Sequence, residues 1–318
     1  MRDMARRSRQ PLVVCLGDLA LDVVVAASDE VAPGSDVPGS VRFRLGGSAA
    51  AAARQVCRLG GRGAFVGAVG RDGLGKRLTA ALRSDDVSVH APRRPGRTAV
   101  VAVLVAADGE RSFVTDRGAA DALAAKDLRA SWFRGAAWLH VPAYALLADP
   151  LRGAAMRAVE LARQRGAGVS VDLASARPLE ALGPGEAEVR VSEVAPDVLF
   201  ATPDEARVLA GARGARALLA VSPILVLKEG RAGCRVLAAS SPTAERPVSL
   251  TVATTPLPTT DSTGAGDAFD AGFILGWLAA GGPTLSVEHA SGALRRAAVA
   301  GNRAAARHLS GPRPSLQL

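Results

Sequence analysis

Asp261-Ser262-Thr263-Gly264-Ala265-Gly266-Asp267 runs directly into Ala268-Phe269-Asp270-Ala271-Gly272-Phe273. Beyond it Phe269, Phe273 and Trp277, with Ile274 and Leu278 beside them, fall at helical spacing. Gly264-Ala265-Gly266 therefore sits where a loop becomes a helix. The first amides of a helix have no partner inside it, and the helix dipole adds partial positive charge there. Glycines let that backbone approach a phosphate without a Cβ in the way. Such a nest can hold the charge that builds on a phosphoryl group in transfer. Asp267 follows at once, and a carboxylate in that position can take a proton from an attacking hydroxyl. Gly-Ala-Gly before an acid is, on its own, also an ordinary helix start with a first-turn carboxylate suited to the dipole. The length of the whole run favours chemistry.

The elements that must position these residues can be read along the chain. Leu12–Leu16 is a short apolar run that reads as a buried strand, and residues 21–26 read as a second. Val41-Arg42-Phe43-Arg44-Leu45 alternates like a strand with one wet face. Residues 48–59 read as an Ala-rich helix stopped by Gly60-Gly61. Residues 64–69 read as a strand and 74–83 as a helix. Residues 98–106 are β-branched, and Asp108-Gly109 is a hairpin signal leading to a return strand at 110–115. Strands at 137–141, 169–173, 198–201, 224–227 and 234–238 then alternate with helices at 151–165, 204–210, 267–280 and 287–309. That alternation predicts an α/β sandwich with a mostly parallel central sheet covered on both faces. The early β segments near 20–45 and 98–115 do not fit it and predict a small separate sheet. The reading is one domain over residues 11–312, preceded by a basic tail at 1–10.

The formal net charge is +9, yet only Lys76, Lys126 and Lys228 are lysines. The arginines are scattered and aromatics make up 3% of the chain, which argues against a nucleic-acid surface. Cys15, Cys57 and Cys234 have neither disulfide-framework nor zinc spacing. No stretch approaches the length of a membrane span. A soluble, cytoplasmic protein is expected, without nucleic-acid or membrane partners. No G-x-S-x-G or Walker A sequence appears, so hydrolase and P-loop readings lack support.

The Asp261–Phe273 run resembles the second signature of the ribokinase-like (PfkB) carbohydrate kinases. The resemblance covers nearly the whole chain. It implies a ribokinase-like three-layer sandwich with a β-sheet lid drawn from residues 20–45 and 98–115. It also implies transfer of the γ-phosphate of ATP, with Mg²⁺, to a hydroxyl of a sugar. Asp267 would be the base and the amides of Gly264, Ala265 and Gly266 the anion hole. Gly17-Asp18-Leu19-Ala20-Leu21-Asp22 looks like the first strand with its substrate-binding acid, which maps to Asp22. Leu45-Gly46-Gly47-Ser48 resembles the first signature, where Gly46 and Gly47 would touch the sugar. Val226–Gly233 resembles the strand and turn beside the nucleotide, bringing Lys228, Gly230 and Gly233 near ATP. Asn302 would help close the adenine pocket.

Two positions depart from the family pattern. Ala51 stands where a substrate-contacting Asn is usual. Thr202 stands where Asn is usual in the N-x-x-E region, whose acid maps to Glu205 and would handle Mg²⁺ through water. Thr202-Pro203-Asp204-Glu205 is equally an ordinary helix cap with Pro at N1. His140, at a strand end, reads either as a pocket-lining group or as a satisfied core histidine. Asp172 ends a strand, on the side where open α/β sheets bind ligands. A sugar or sugar derivative is the first substrate reading and a nucleoside the second. A non-catalytic sugar- or nucleotide-binding pseudokinase is the alternative from another class. The resemblance also implies a homodimer formed through the lid.

Overall fold

The computed structural model describes residues 10–29, 33–34, 36–106, 111–239, 248–257, 261–282, 287–312 and 315–316. The basic tail at 1–9 and the Asp108-Gly109 turn lie outside them. In chain order the elements are β1 (Leu12–Leu16), β2 (Ala20–Ala27), β3 (Gly39–Gly46), α1 (Ser48–Arg58), β4 (Arg62–Val66), β5 (Val69–Gly70), α2 (Gly73–Ser84) and β6 (Ser88–His90). They continue with β7 (Arg93–Arg94), β8 (Ala99–Val105), β9 (Arg111–Asp116), β10 (Ala136–Pro142), α3 (Leu151–Arg163), β11 (Gly168–Asp172), α4 (Ala176–Leu182) and α5 (Pro184–Val194). The last are β12 (Val198–Ala201), α6 (Pro203–Ala210), β13 (Ile224–Lys228), β14 (Cys234–Ala238), β15 (Val248–Val252), α7 (Ala265–Ala279) and α8 (Val287–Ser310).

The main sheet runs β15-β14-β13-β12-β11-β10-β1-β4-β6. It is parallel from β13 to β6, and β14 and β15 are antiparallel. Strand side chains alternate between faces, and here each face has its own core. Val14 and Leu16 of β1 join Leu139, Val171 and Leu199 under α3, α4, α5 and α6. Val13 and Cys15 join Trp138, Phe200 and Val226 under α1, α2, α7 and α8. The same alternation puts His140, Ser170, Asp172, Phe200 and Lys228 on the α7 side. Polar groups at the ends of β11 and β13 are thereby aimed at the first turn of α7.

A second sheet runs β3-β2-β8-β9. Its register puts Asp22 beside Arg44 and Val101, with Arg111 further along the same face. Val41, Leu104 and Val114 share the opposite face and are exposed. At the far end of the chain the Leu316 N–H donates to the Phe43 carbonyl, 2.7 Å away, tying that end to β3.

Candidate active site

Helix α7 begins at Ala265, with Gly264 as its cap in the left-handed region at φ 78°. A residue with a Cβ is strained there, so glycine is the natural choice. The Ala265 N–H already donates to the Ser262 carbonyl at 3.1 Å. Among the described residues the amides of Gly264, Gly266 and Asp267 donate to no other backbone group. The open donors of this turn are therefore those of Gly264, Gly266 and Asp267, and the Ala265 amide, expected in the hole, closes the turn.

Asp267 accepts a hydrogen bond from the Ser48 hydroxyl in the first turn of α1. Burial drives its pKa up to about 7; Ser48 and Lys228 pull it down, and Asp172 and Asp18 push it up. A carboxyl poised there can exchange a proton near neutral pH. Because Ser48 favours the ionised form, Ser48→Ala should move the acid limb of kcat to higher pH. A displacement by one pH unit would lower turnover at pH 7 about fivefold and leave the alkaline plateau in place. A pH–rate profile measures this, and an unmoved limb would mean that Ser48 does not tune the base.

Asp22 is 9% exposed, and burial, with help from Asp18, raises its pKa to about 7 against the opposing pull of Arg44. A Cβ on Gly46 would lie 2.0 Å from the Asp22 carboxylate, so glycine there makes room for the acid. A Cβ on Gly47 would lie 2.5 Å from the Asp18 carbonyl, so Gly47 serves the strand-to-helix junction. Ala51 is half-buried and, by helical spacing, shares a face of α1 with Ser48 and Gln55.

Arginines of both edge strands of the small sheet reach the loop before α7. Arg44 pairs with Asp261. Arg111 pairs with the other Asp261 oxygen at 3.3 Å and also donates to Ser262 and Thr263. The small sheet is thus pinned over the loop that carries the open amides. The sequence placed both arginines on these strands but offered no sign that they converge on Asp261.

Beneath α7 lies a buried cluster. The Lys228 ammonium is 2.8 Å from Asp172 and 3.2 Å from Asp270. A Cβ on Gly266 would lie 3.3 Å from the same nitrogen. Burial works against a charge on Lys228, but Asp172, Asp270 and Glu205 hold its pKa well above the usual lysine value. Burial and Asp172 push Asp270 upward. Lys228 is therefore a half-buried charged group directly under the loop, beside Asp172 and Asp270. His140 is fully buried; its Nδ1 lies 2.9 Å from the Ser170 hydroxyl, and burial lowers its pKa to about 4. It is a neutral core histidine and does not line the cleft.

Several of the remaining expected positions also make backbone contacts. Thr202 caps α6 and forms a capping box with Glu205, whose carboxylate accepts from the Thr202 N–H at 2.7 Å. A Cβ on Gly233 would lie 2.2 Å from the Val252 carbonyl, so its glycine allows the turn to pass β15. The Asn302 amide donates to that same carbonyl at 2.9 Å and anchors α8 to β15. Gly230 is exposed at the end of β13 with φ 57°. Among the described residues no group of three or more His, Cys, Asp or Glu could hold a metal by itself. No helix among them is long and apolar enough to cross a membrane.

Residues 10–312 match the profile of the pfkB family carbohydrate kinases. The chain is 32% identical over 272 residues to probable fructokinase-2 of Arabidopsis thaliana, covering 81% of this chain and 79% of that one. Its fold is similar to that of adenosine kinase from Sinorhizobium meliloti, at 23% identity and a TM-score of 0.80 over 96% of both chains. It is also similar to a putative ribokinase II from E. coli in complex with ATP and Mg²⁺, at 21% identity and a TM-score of 0.75 over 97% of this chain and 96% of that one. With the signature run, the two-sheet architecture and a half-buried acid beside open amides in place, the chain belongs to the pfkB family of carbohydrate kinases.

Proposed function

We propose that this enzyme transfers the γ-phosphate of ATP to a hydroxyl of a free sugar, D-fructose being the first acceptor to test, with Asp267 as the general base. The observation that carries the reading is a carboxyl held near pKa 7 directly after the open amides of a helix start. ATP supplies the electrophilic phosphorus. Asp22, with Gly46 leaving it room, accepts hydrogen bonds from sugar hydroxyls and orients the acceptor. Asp267 takes the proton of the attacking hydroxyl and passes from Ser48 to that hydroxyl as its partner. The Gly264, Gly266 and Asp267 amides face the charge that develops on the transferring group. The small sheet acts as a lid, and the Arg44 and Arg111 contacts to Asp261 hold it down so that water does not compete.

Mg²⁺ suits a site without an all-protein cage, because it keeps several waters and binds chiefly through phosphates and one or two carboxylates. Glu205 would hold it through water, with one carboxylate oxygen already given to the Thr202 amide. Thr202 and Gly230, at the ends of β12 and β13, would lie along the nucleotide.

A sugar fits the lid better than a nucleoside. A base needs an aromatic or apolar face to stack on. Among the described lid strands only one aromatic, Phe113, lies on the Asp22 face, and it is exposed, whereas Phe43 lies on the other face and packs into the core, so a base would find no second ring to be held between. A coupled ADP-release assay with ATP and Mg²⁺ over D-fructose, other hexoses, pentoses and adenosine tests the reading. Sugar-dependent ADP release is expected. Release with adenosine alone would transfer the reading to a nucleoside kinase, and no release with any acceptor would end it.

A further inference from the structure

The mechanism above leaves Gln55 and His308 without a task. His308 lies in the last turn of α8, with its Nε2 2.8 Å from the Thr263 carbonyl oxygen and its Nδ1 2.8 Å from the Gln55 side-chain nitrogen. One tautomer satisfies both contacts: Nε2–H donates to the carbonyl, and Nδ1 accepts from the Gln55 amide. The ring sits against the loop, since a Cβ on Gly264 would lie 3.0 Å from Nε2.

The carbonyl and the N–H of a trans peptide point in opposite directions. Holding the Thr263 oxygen against His308 therefore turns the Gly264 N–H away from α8. That amide is one of the open donors of the helix start. A free loop would let the peptide rotate and give the donor to water. We infer that Gln55 and His308 are positioning residues that aim the Gly264 amide into the anion hole.

The relay begins on a rigid element. Gln55 is 7% exposed and lies seven residues, close to two turns, after Ser48 on α1. Ser48 holds the base and Gln55, through His308, holds the hole. One helix thus fixes the spacing between proton acceptor and anion donors, which donors of this kind need in order to act on a developing charge.

This inference rests on the reading of Gly264–Gly266 as the phosphoryl site, so its test must separate the two. Calorimetry compares ADP with Mg²⁺ against ADP with Mg²⁺, aluminium fluoride and D-fructose, the fluoride standing in for the phosphoryl group in transfer. His308→Ala should bind ADP as the wild type does and lose about 10- to 100-fold of the tightening that fluoride brings, the range seen when a residue supporting a site group is removed. His308→Gln, which keeps an N–H for the carbonyl, should recover most of it. Gln55→Leu, which leaves the ring in place, should lose part of it and serves where His308→Ala does not fold. A tightening kept within twofold in both His308→Ala and Gln55→Leu would overturn the relay alone. A wild type that shows no tightening would overturn the phosphoryl-site reading and the relay with it.

Discussion

Asp267→Asn should lower turnover by about 10²- to 10⁴-fold, the range that a positioned base contributes, with little change in the affinity for ADP. Asparagine keeps the shape of the side chain and can still accept from Ser48, so the first turn of α7 stays as it is. What it loses is the capacity to take a proton. The same substitution should raise stability above neutral pH. The folded-state pKa of Asp267 lies at about 7 against an ordinary 3.8. A carboxyl raised in this way favours the folded protein below its unfolded pKa, and that contribution fades as pH rises through the folded value. At about 1.4 kcal/mol per pH unit, the gap sets a ceiling of about 4 kcal/mol on what ionising Asp267 costs. The wild type should therefore lose stability relative to Asp267→Asn between about pH 4 and pH 7. Urea titrations at both ends of that window, alongside steady-state turnover, check the pair of effects. Turnover within threefold of wild type would remove Asp267 from the base role, whatever the stability result.

The strand–helix rhythm was legible because it rests on local chemistry. Short apolar runs such as Leu12–Leu16 and Val198–Ala201 are buried on both faces and match the observed strands to the residue. Thr202 and Pro203 announce the start of α6, and the capping box forms. What was missed lacked a local signal. Helices α4 and α5 are split by Gly183-Pro184, and their apolar residues are too few to show a period. The run read as one strand at 64–69 divides into β4, which belongs to the main sheet, and β5, which leaves it to pair with β7. Strand β15 has only the alternation of five residues, Val248 to Val252, to declare itself.

The site divides along the same line. Asp267, its neighbouring amides and Asp22 could be singled out in the sequence because their chemistry is compressed into short motifs. Ser48, Gln55, Asp261, Asp270 and His308 were not, since each works through a partner more than forty residues away. Composition could not rank them: one serine or glutamine in an Ala-rich helix carries no mark of its partner. His140 shows the converse. A strand end is where cleft residues gather, but side chains alternate, and the alternation turned this one under α7 beside Ser170 and Phe200. Lys228, which its motif brings near ATP, is set beneath the loop by the same alternation, and its ion pairs to Asp172 and Asp270 had no local signal.

Lys228 therefore carries the second large expected effect, and it is first an effect on stability. Lys228→Met removes the one cation that faces Asp172 and Asp270 among the described residues. Asp172 is 3% exposed and would be left as an uncompensated charge. Breaking a buried pair from one side typically costs about 3–5 kcal/mol, enough to shift a denaturation midpoint plainly. Lys228→Met combined with Asp172→Asn removes the closest pair from both sides and should recover part of the loss, since replacing both partners is far cheaper than removing one; Asp270, already pushed upward by burial, can stay protonated. The pH profile should follow the same logic. Lys228 pulls the Asp267 pKa down and Asp172 pushes it up. The single variant should move the acid limb to higher pH, and the double variant should bring it back. A lysine that instead touched the nucleotide would behave differently: Lys228→Met would keep its stability and lose affinity for ADP, and the second substitution would repair neither. Equal midpoints for wild type and Lys228→Met, with weakened ADP binding, would return Lys228 to the cleft.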